Sequence, residues 1–236
     1  MMMTTTPRTH CLQQLPTDRL LAEMSVWSAD LAHLADDITR VDELADIYHV
    51  DVADGHFTPS MLFFPDLVAA LRKVTTKPLH VHLMVSDAIL LEQIDQFAEA
   101  GADIISIQGE NQPIEQALAR IEHHGCAAGM VLQLHTPVSD LTPYLSRLAF
   151  VTLLGTRMGV KGQGLADEAY DRLQQARRLI QDSPAQQHIF LAADGAIREH
   201  TVPELRRSGA DTVVMGSLAF NAPDYPATMN WIRTLP

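Results

Sequence analysis

A chain of 236 residues that is 47% hydrophobic and 19% charged has the length and composition of one large globular domain. Seventeen basic against 29 acidic residues give a net charge of −12, which disfavours nucleic acid and anionic membranes as partners. No apolar run approaches the roughly 20 residues that cross a bilayer, and the first residues lack the apolar stretch of a secretory signal. Because Cys11 and Cys126 make neither a disulfide framework nor a zinc motif, we expect a cytoplasmic protein in a reducing environment.

Short β-branched apolar runs alternate along the chain with segments whose apolar residues follow helical spacing. The pattern begins after residues 1–19, which we interpret as an N-terminal extension. An apolar stripe through residues 31–41 predicts the first helix. The predicted strands cover residues 20–24, 47–52, 79–85, 104–108, 128–134, 150–155, 189–193 and 212–215.

Eight strands that alternate with helices, with no break in composition, predict a parallel sheet with both faces covered. At this length we predict a single (β/α)8 TIM barrel over residues 20–236. An open, doubly wound sheet is the alternative architecture. That fold requires a glycine-rich turn after the first strand, and residues 25–28 contain no glycine.

Polar side chains occupy three of the predicted strand ends. His49 and Asp51 fall on one face of the second strand, because side chains alternate along a strand, and the intervening valines suit the helix-covered outside. The third strand likewise carries His80 and His82 on one face, and Asp194 follows the seventh strand. A single buried histidine or strand-end aspartate is more often a hydrogen-bonded core residue or a turn former. Together they predict a site for one divalent ion, with Zn, Fe(II), Mn and Co all compatible.

Glycine-rich loops follow three successive strands at the same predicted end of the barrel. Residues 155–164 contain four glycines, and the next two loops begin with Gly195-Ala196 and Gly216-Ser217. Glycine lets backbone N–H groups turn toward an anion, and loops after the last strands of such barrels recurrently bind phosphate. We therefore expect a phosphorylated ligand.

The chain resembles the ribulose-phosphate 3-epimerase family from about residue 25 to residue 224. Residues 49–60 read HVDVADGHFTPS, against the family pattern H-[VIL]-D-[VIL]-M-D-G-x-F-x-P-N. Residues 81–85 and 25–30 match two further motifs, and the phrase Gly209-Ala210-Asp211 leading to Gly216-Ser217 matches a third. The resemblance implies a metal-dependent isomerase, most simply one that converts D-ribulose 5-phosphate to D-xylulose 5-phosphate through an enediolate.

The resemblance also implies roles for individual residues. His49, Asp51, His82 and Asp194 would bind the metal, with Asp51 as the catalytic base and Asp194 as the catalytic acid. A small phosphorylated sugar is the implied partner, and relatives suggest a homo-oligomer. The implied substrate-binding residues are Ser25, His82, Gly159, Val160, Lys161, Gly162, Gln163, Gly195, Ala196, Gly216 and Ser217.

Several positions depart from the family pattern, and four of them bear most directly on the ligand site. Lys161 replaces a glycine, Gln108 stands where the family usually has histidine, and Ala53 and Leu154 replace methionines near the metal. Because these changes alter the room and charge around the ligand, two alternatives stay open. One is a 3-epimerase of another ketose phosphate, such as D-allulose 6-phosphate. The other is a phosphosugar-binding barrel without catalysis.

Overall fold

The structure, a computed structural model, describes residues 8–185 and 187–236 and forms a closed parallel barrel. Pairing of β1 with both β2 and β9 closes the sheet, so the predicted TIM barrel is confirmed and an open sheet is excluded. β3 is a two-residue strand that pairs antiparallel with the end of β2 and does not belong to the barrel. The strands are β1 (Leu21–Ser25), β2 (Ile47–Asp54), β3 (Met61–Leu62), β4 (Leu79–Met84), β5 (Ile104–Gln108), β6 (Ala127–Leu132), β7 (Phe150–Leu154), β8 (Phe190–Asp194) and β9 (Thr212–Met215).

Helices cover the outside of the barrel. They are α1 (Leu34–Val41), α2 (Pro65–Leu71), α3 (Asp87–Ala100), α4 (Ile114–His123), α5 (Ala169–Gln181), α6 (Val202–Arg207), α7 (Ser217–Phe220) and α8 (Tyr225–Thr234). Between β6 and β7 the connection contains two 3-10 turns, Val138–Leu141 and Leu145–Arg147, in place of an α-helix. The first helix begins later than its apolar stripe predicts, because the Asp30 carboxylate accepts the Ala32 N–H and forms a local turn. Leu31 consequently lies outside the helix and is 53% exposed.

The inward-facing side chains change character along the barrel axis. The bottom cluster is apolar and consists of Leu21, Ile47, Ile104, Ala127, Phe150 and Phe190. Two residues further along, on the same face, most strands carry a polar side chain, and Glu23, His49, His80, Ser106 and Thr212 are all fully buried. Two residues further again stand Ser25, Asp51, His82, Gln108 and Asp194, at the carboxyl end of the barrel. The outward valines Val50 and Val52 belong to the larger core between strands and helices.

The described part of the N-terminal extension covers the bottom of the barrel. Leu12 and Leu15 pack against the apolar bottom cluster, and Arg19 forms a bidentate ion pair with Asp46. The division into an extension at residues 1–19 and a barrel at residues 20–236 stays a prediction, and residues 1–7 lie outside the described part. Across residues 8–185 and 187–236, every helix is too short or too polar to cross a bilayer.

Candidate active site and metal centre

A cavity of about 400 Å³ opens at the carboxyl end of the barrel strands. Its floor is formed by side chains at the ends of β1, β2, β4 and β8, and its walls by the loops after β7, β8 and β9. Of the residues proposed from sequence, those that line it are Ser25, Asp51, His82, Gly159, Val160, Lys161, Gly162, Asp194, Gly195, Gly216 and Ser217. His49 lies below the floor, and Gln163 and Ala196 lie outside the lining.

Four potential metal ligands converge at the cavity floor, three from its lining and His49 from directly below it. Each of His49, Asp51, His82 and Asp194 offers one ligand atom, and these atoms all lie within 4.8 Å of one another. They come from three strands that lie far apart in sequence but end at the same side of the closed sheet. The Ser25 hydroxyl donates to Asp51 Oδ2 over 3.3 Å and so orients the carboxylate within this group.

The unsatisfied atoms of this group fit a divalent cation. His49 Nε2 and His82 Nδ1 are buried and have no hydrogen-bond partner, although they lie 3.3 and 3.4 Å from Asp51 Oδ1. Two ligands that each stand about 2.0–2.1 Å from a tetrahedral zinc ion are separated by about 3.3 Å. Each orphaned nitrogen therefore lies at the distance from the carboxylate oxygen that is expected of two ligands that share one ion.

A buried hydrogen-bond network lies directly beneath the four ligands. Glu23 Oε2 is 3.0 Å from His49 Nδ1 and 2.9 Å from His80 Nδ1, and Thr212 donates to Glu23 Oε1 over 3.1 Å. His80 Nε2 is 2.6 Å from the Ser106 hydroxyl. All of these side chains are inaccessible to solvent, and every side-chain nitrogen or oxygen named here has a partner.

Gln108, which stands where the family usually has histidine, contacts His82 directly. The Gln108 amide Nε2 lies 2.6 Å from His82 Nε2, the ring nitrogen that faces away from Asp51. Amide oxygen and nitrogen have nearly the same shape, so the opposite amide orientation lets Gln108 Oε1 accept from His82 Nε2–H. That orientation leaves His82 Nδ1 without a proton and able to bind a cation.

The two carboxylates at the cavity floor have opposite protonation tendencies. Burial raises the pKa of Asp194 to about 6, and the nearby Asp51 and Glu23 carboxylates add to the rise against the opposing effect of the histidines. Burial also penalises the Asp51 carboxylate, but His49 and His82 outweigh it and hold the pKa of Asp51 below its usual range. The same balance acts on Glu23, whose pKa is lowered by His80 and His49 in spite of burial. One acid of the Asp51–Asp194 pair is therefore protonated more readily than the other.

The loop after β7 closes over one side of the cavity. Ser60 donates to the Gly159 carbonyl over 2.6 Å, and the Lys161 ammonium donates to the Trp27 carbonyl over 2.6 Å while lying 4.4 Å from the Trp27 ring centre. Gln163 holds the loop from within, because its amide donates to the Val160 carbonyl over 2.7 Å. The loop is thus attached to the segments that follow β1 and β2.

The turn after β8 is held in an unusual backbone conformation. Ala196 has a φ of 53°, the only positive value at a non-glycine position in the described residues, and Gly195 before it has a φ of 95°. Two consecutive positive φ angles give this turn a backbone conformation that L side chains rarely adopt, directly beside the cavity that Gly195 lines. A left-handed alanine costs about 1–2 kcal/mol, and strain of this kind concentrates at functional sites.

Three cations line the cavity without a carboxylate partner. Arg157, Lys161 and Arg198 form no ion pair with any acidic side chain in the described part of the chain, although the protein has 29 acidic residues. Among the described residues, the Arg198 guanidinium donates only to the neighbouring Ile197 carbonyl, over 2.9 Å. Burial lowers the pKa of Lys161, partly against the attraction of Asp51. Unpaired cations around a cavity favour an anionic ligand.

Sequence reasoning did not find Glu23 or Arg198. Glu23 interrupts the apolar run of the first strand on its inward face, and a charged residue at such a position is itself a signal. Arg198 offered no comparable signal, since an arginine beyond a glycine turn is ordinary on a protein surface. Its position beside the cavity follows from the path of the loop after β8.

The chain matches known proteins over most of its length. The model of the Ribulose-phosphate 3 epimerase family matches residues 21–220. Ribulose-phosphate 3-epimerase 2 of Cupriavidus necator is 36% identical over 204 residues, which cover 85% of this chain and 84% of that protein. Ribulose-phosphate 3-epimerase of Serratia marcescens is 35% identical over 210 residues, covering 88% and 98%. The crystal structure of 3-hexulose-6-phosphate synthase has a TM-score of 0.65 at 18% identity over 92% of this chain and 99% of that one, a likeness of fold alone.

Proposed function

The chain belongs to the ribulose-phosphate 3-epimerase family, and from this premise we propose that it interconverts D-ribulose 5-phosphate and D-xylulose 5-phosphate by inverting C3. One observation carries the proposal beyond family membership. Asp51 and Asp194 reach the same cavity floor from β2 and β8, within 4.8 Å of each other and of two histidine nitrogens. A site that only binds a sugar phosphate has no need for two carboxylates so close together.

The proposed reaction is a proton transfer across the plane of a ketose. Asp51 is ionised and takes the C3 proton from one face, which leaves an enediolate, and protonated Asp194 delivers a proton to the other face. In the reverse direction the two carboxyl groups exchange roles. Inversion requires one base and one acid at the same time, and two carboxyl groups at one cavity floor can fill these roles.

His49, Asp51, His82 and Asp194 are the residues that would hold a divalent cation. When bound, the cation supplies Lewis-acid stabilisation of negative charge that develops beside it. Ser25 would orient both Asp51 and the substrate, since its hydroxyl donates to the carboxylate and the residue lines the cavity. Mixed histidine and carboxylate ligation suits Zn, Fe(II), Mn and Co, so the metal is named only as a divalent first-row ion.

The phosphate is assigned to the wall of the cavity formed by the later loops. Gly195-Ala196 and Gly216-Ser217 offer backbone N–H groups there, and Lys161 and Arg198 offer positive charge. Phosphate favours such combined contacts with N–H groups and cations. The other residues of the loop after β7, Gly159, Val160, Gly162 and Gln163, would close over the bound sugar phosphate.

Incubation of the metal-loaded enzyme with phosphorylated ketoses in D2O tests the proposal. We expect D-ribulose 5-phosphate to be converted to D-xylulose 5-phosphate with deuterium at C3, as seen by NMR. Faster exchange of D-allulose 6-phosphate would assign the enzyme to that substrate. Binding of ketose phosphates with no exchange at C3 would show a binding protein and contradict the proposed activity.

We expect the double variant Lys161→Met/Arg198→Met to raise KM for the phosphorylated ketose about 100-fold, because each charged hydrogen bond contributes about 1.5–3 kcal/mol. The value of kcat should change less than threefold, since neither side chain belongs to the proton-transfer pair. Steady-state kinetics measure both constants, with Lys73→Met as the control at an exposed position. An unchanged KM would assign the phosphate to the backbone N–H groups alone.

Metal affinity should fall as the pH falls through 6. Two of the proposed ligands carry protons in acid when no cation is bound, because the pKa of Asp194 is about 6 and the pKa of His49 is raised. A cation that binds there competes with these protons. Asp51 contributes no such competition, because its pKa is lowered. We expect the Mn²⁺ dissociation constant to rise at least tenfold per pH unit below pH 6, as measured by isothermal titration calorimetry. A constant affinity between pH 7 and pH 5 would contradict this assignment.

A further inference from the structure

Glu23 is a fully buried acid that the proposed proton transfers do not use. It lies two residues before Ser25 on β1, one layer below the cavity floor, where it contacts three other strands. Its two oxygens accept hydrogen bonds from His49, His80 and Thr212 at 2.9 to 3.1 Å. Burying a carboxylate costs free energy. Its presence here therefore implies that it either satisfies the hydrogen-bonding groups of its neighbours or controls the position of one of them.

The hydrogen bonds around Glu23 determine where the protons lie. An ionised carboxylate can only accept hydrogen bonds, so the Nδ1 atoms of both His49 and His80 must carry hydrogen. His80 Nε2 then accepts the hydrogen of the Ser106 hydroxyl, 2.6 Å away. His49 Nε2 is the one nitrogen of this network without a hydrogen-bond partner, and it faces Asp51 at 3.3 Å.

The packing of the neighbouring strands maintains these hydrogen bonds around Glu23. Ser106 can occupy its position only because its neighbour in the sheet is Gly129, where an added Cβ would lie 2.0 Å from the Ser106 hydroxyl oxygen. Ser106 in turn fixes the His80 ring, and Glu23 joins that ring to His49. Among these side chains, Glu23 is the one that hydrogen-bonds the His49 ring, while His80 and Ser106 are connected to that ring through Glu23.

We propose that Glu23 is a positioning residue, which holds the His49 ring so that Nε2 presents its lone pair to the metal site. The inference rests on the proposed function through the metal cluster, and it adds a residue outside the four ligands on which metal affinity depends. Carboxylates that accept from the second nitrogen of a ligating histidine have this effect in other metalloproteins, at 10- to 100-fold in affinity.

The variant Glu23→Gln tests the proposal with zinc as the probe. We expect the Zn²⁺ dissociation constant, measured by competition with a chromophoric chelator, to rise about 10- to 100-fold. Excess Zn²⁺ should restore part of kcat, because the four ligands themselves remain. His80→Gln is the matched control, since it alters the same buried layer but leaves the Glu23–His49 contact, and we expect it to change the dissociation constant less than threefold.

Two outcomes would overturn the proposal. Unchanged zinc affinity in Glu23→Gln would show that the carboxylate only satisfies its neighbours. Equal weakening in Glu23→Gln and His80→Gln would attribute the effect to packing of the buried layer. A wild-type protein that binds no Zn²⁺ would instead contradict the metal site of the proposed function.

A measurement on the wild type keeps the inference testable if the variants do not fold. Imidazole ¹⁵N NMR of the zinc-loaded protein reports which nitrogen of His49 carries hydrogen and which binds zinc. We expect hydrogen on Nδ1 and zinc on Nε2. Zinc on Nδ1, or hydrogen on Nε2, would contradict the role given to Glu23.

Discussion

Replacing Asp194 by asparagine should reduce epimerisation about 10²- to 10⁴-fold, the range that a positioned general acid or base contributes. Asparagine has nearly the same shape as aspartate but cannot deliver a proton to the enediolate. Carrying out the reaction in D2O gives a more specific expectation for this variant. Asp51 remains able to remove the C3 proton of D-ribulose 5-phosphate and to return a deuteron to the same face. Asp194→Asn should therefore incorporate deuterium into D-ribulose 5-phosphate without forming D-xylulose 5-phosphate.

The complementary variant and a control complete this test. Asp51→Asn should show the reverse behaviour, with exchange into D-xylulose 5-phosphate alone, provided that the metal stays bound. Asp36→Asn changes an exposed carboxylate away from the cavity and should leave kcat/KM within twofold. If Asp194→Asn epimerises within tenfold of the wild type, the assignment of the acid is wrong.

Loss of a histidine ligand is the second large effect that we expect. His82→Asn removes a ring nitrogen that lies 3.4 Å from Asp51 Oδ1 and has no hydrogen-bond partner. Since Lewis-acid stabilisation contributes several kcal/mol, we expect kcat to fall about 10³-fold at ambient metal concentration. Metal content of the purified variant, measured by plasma emission spectroscopy, should fall in parallel. His135→Asn, at an exposed position beyond β6, is the control.

Chelation of the wild type examines the same site without a substitution. Removal of the metal should abolish epimerisation, and addition of Zn²⁺, Fe²⁺, Mn²⁺ or Co²⁺ one at a time should restore it to different extents. The ion that restores the highest kcat/KM at the lowest concentration identifies the metal best suited to this ligand set. Full activity of a metal-free protein would contradict the metal-dependent function.

These effects depend on a layered barrel interior in which each layer has a different task. The apolar bottom cluster, covered by Leu12 and Leu15, supplies stability. The polar layer above it orients His49 through Glu23. The uppermost layer faces the cavity and carries the carboxylates. Chemistry at the carboxyl ends of the strands, above a packed interior, is typical of this fold.

Much of this architecture could be predicted from the sequence because it follows local periodicity. Alternation along the second strand placed His49 and Asp51 on one face, and the valines between them do pack in the outer core. The repetition of strand and helix predicted the barrel, and the barrel brings the ends of β2, β4 and β8 to one side. The first helix was less predictable, because the turn at Asp30 competes with an apolar stripe that includes Leu31.

The sequence by itself determined the order of strands and helices and the inward face of each strand. It also determined which residue types are available to bind a metal and a phosphate. All of these features depend on the spacing of residues that are close together in the chain. Only the tertiary structure decided which polar groups meet. The partners of Glu23 lie 26, 57 and 189 residues away along the chain, and their contact depends on how the closed sheet staggers its strands. The position of Arg198 beside the cavity and the attachment of Lys161 to Trp27 were decided in the same way, because loop paths depend on packing across the whole barrel.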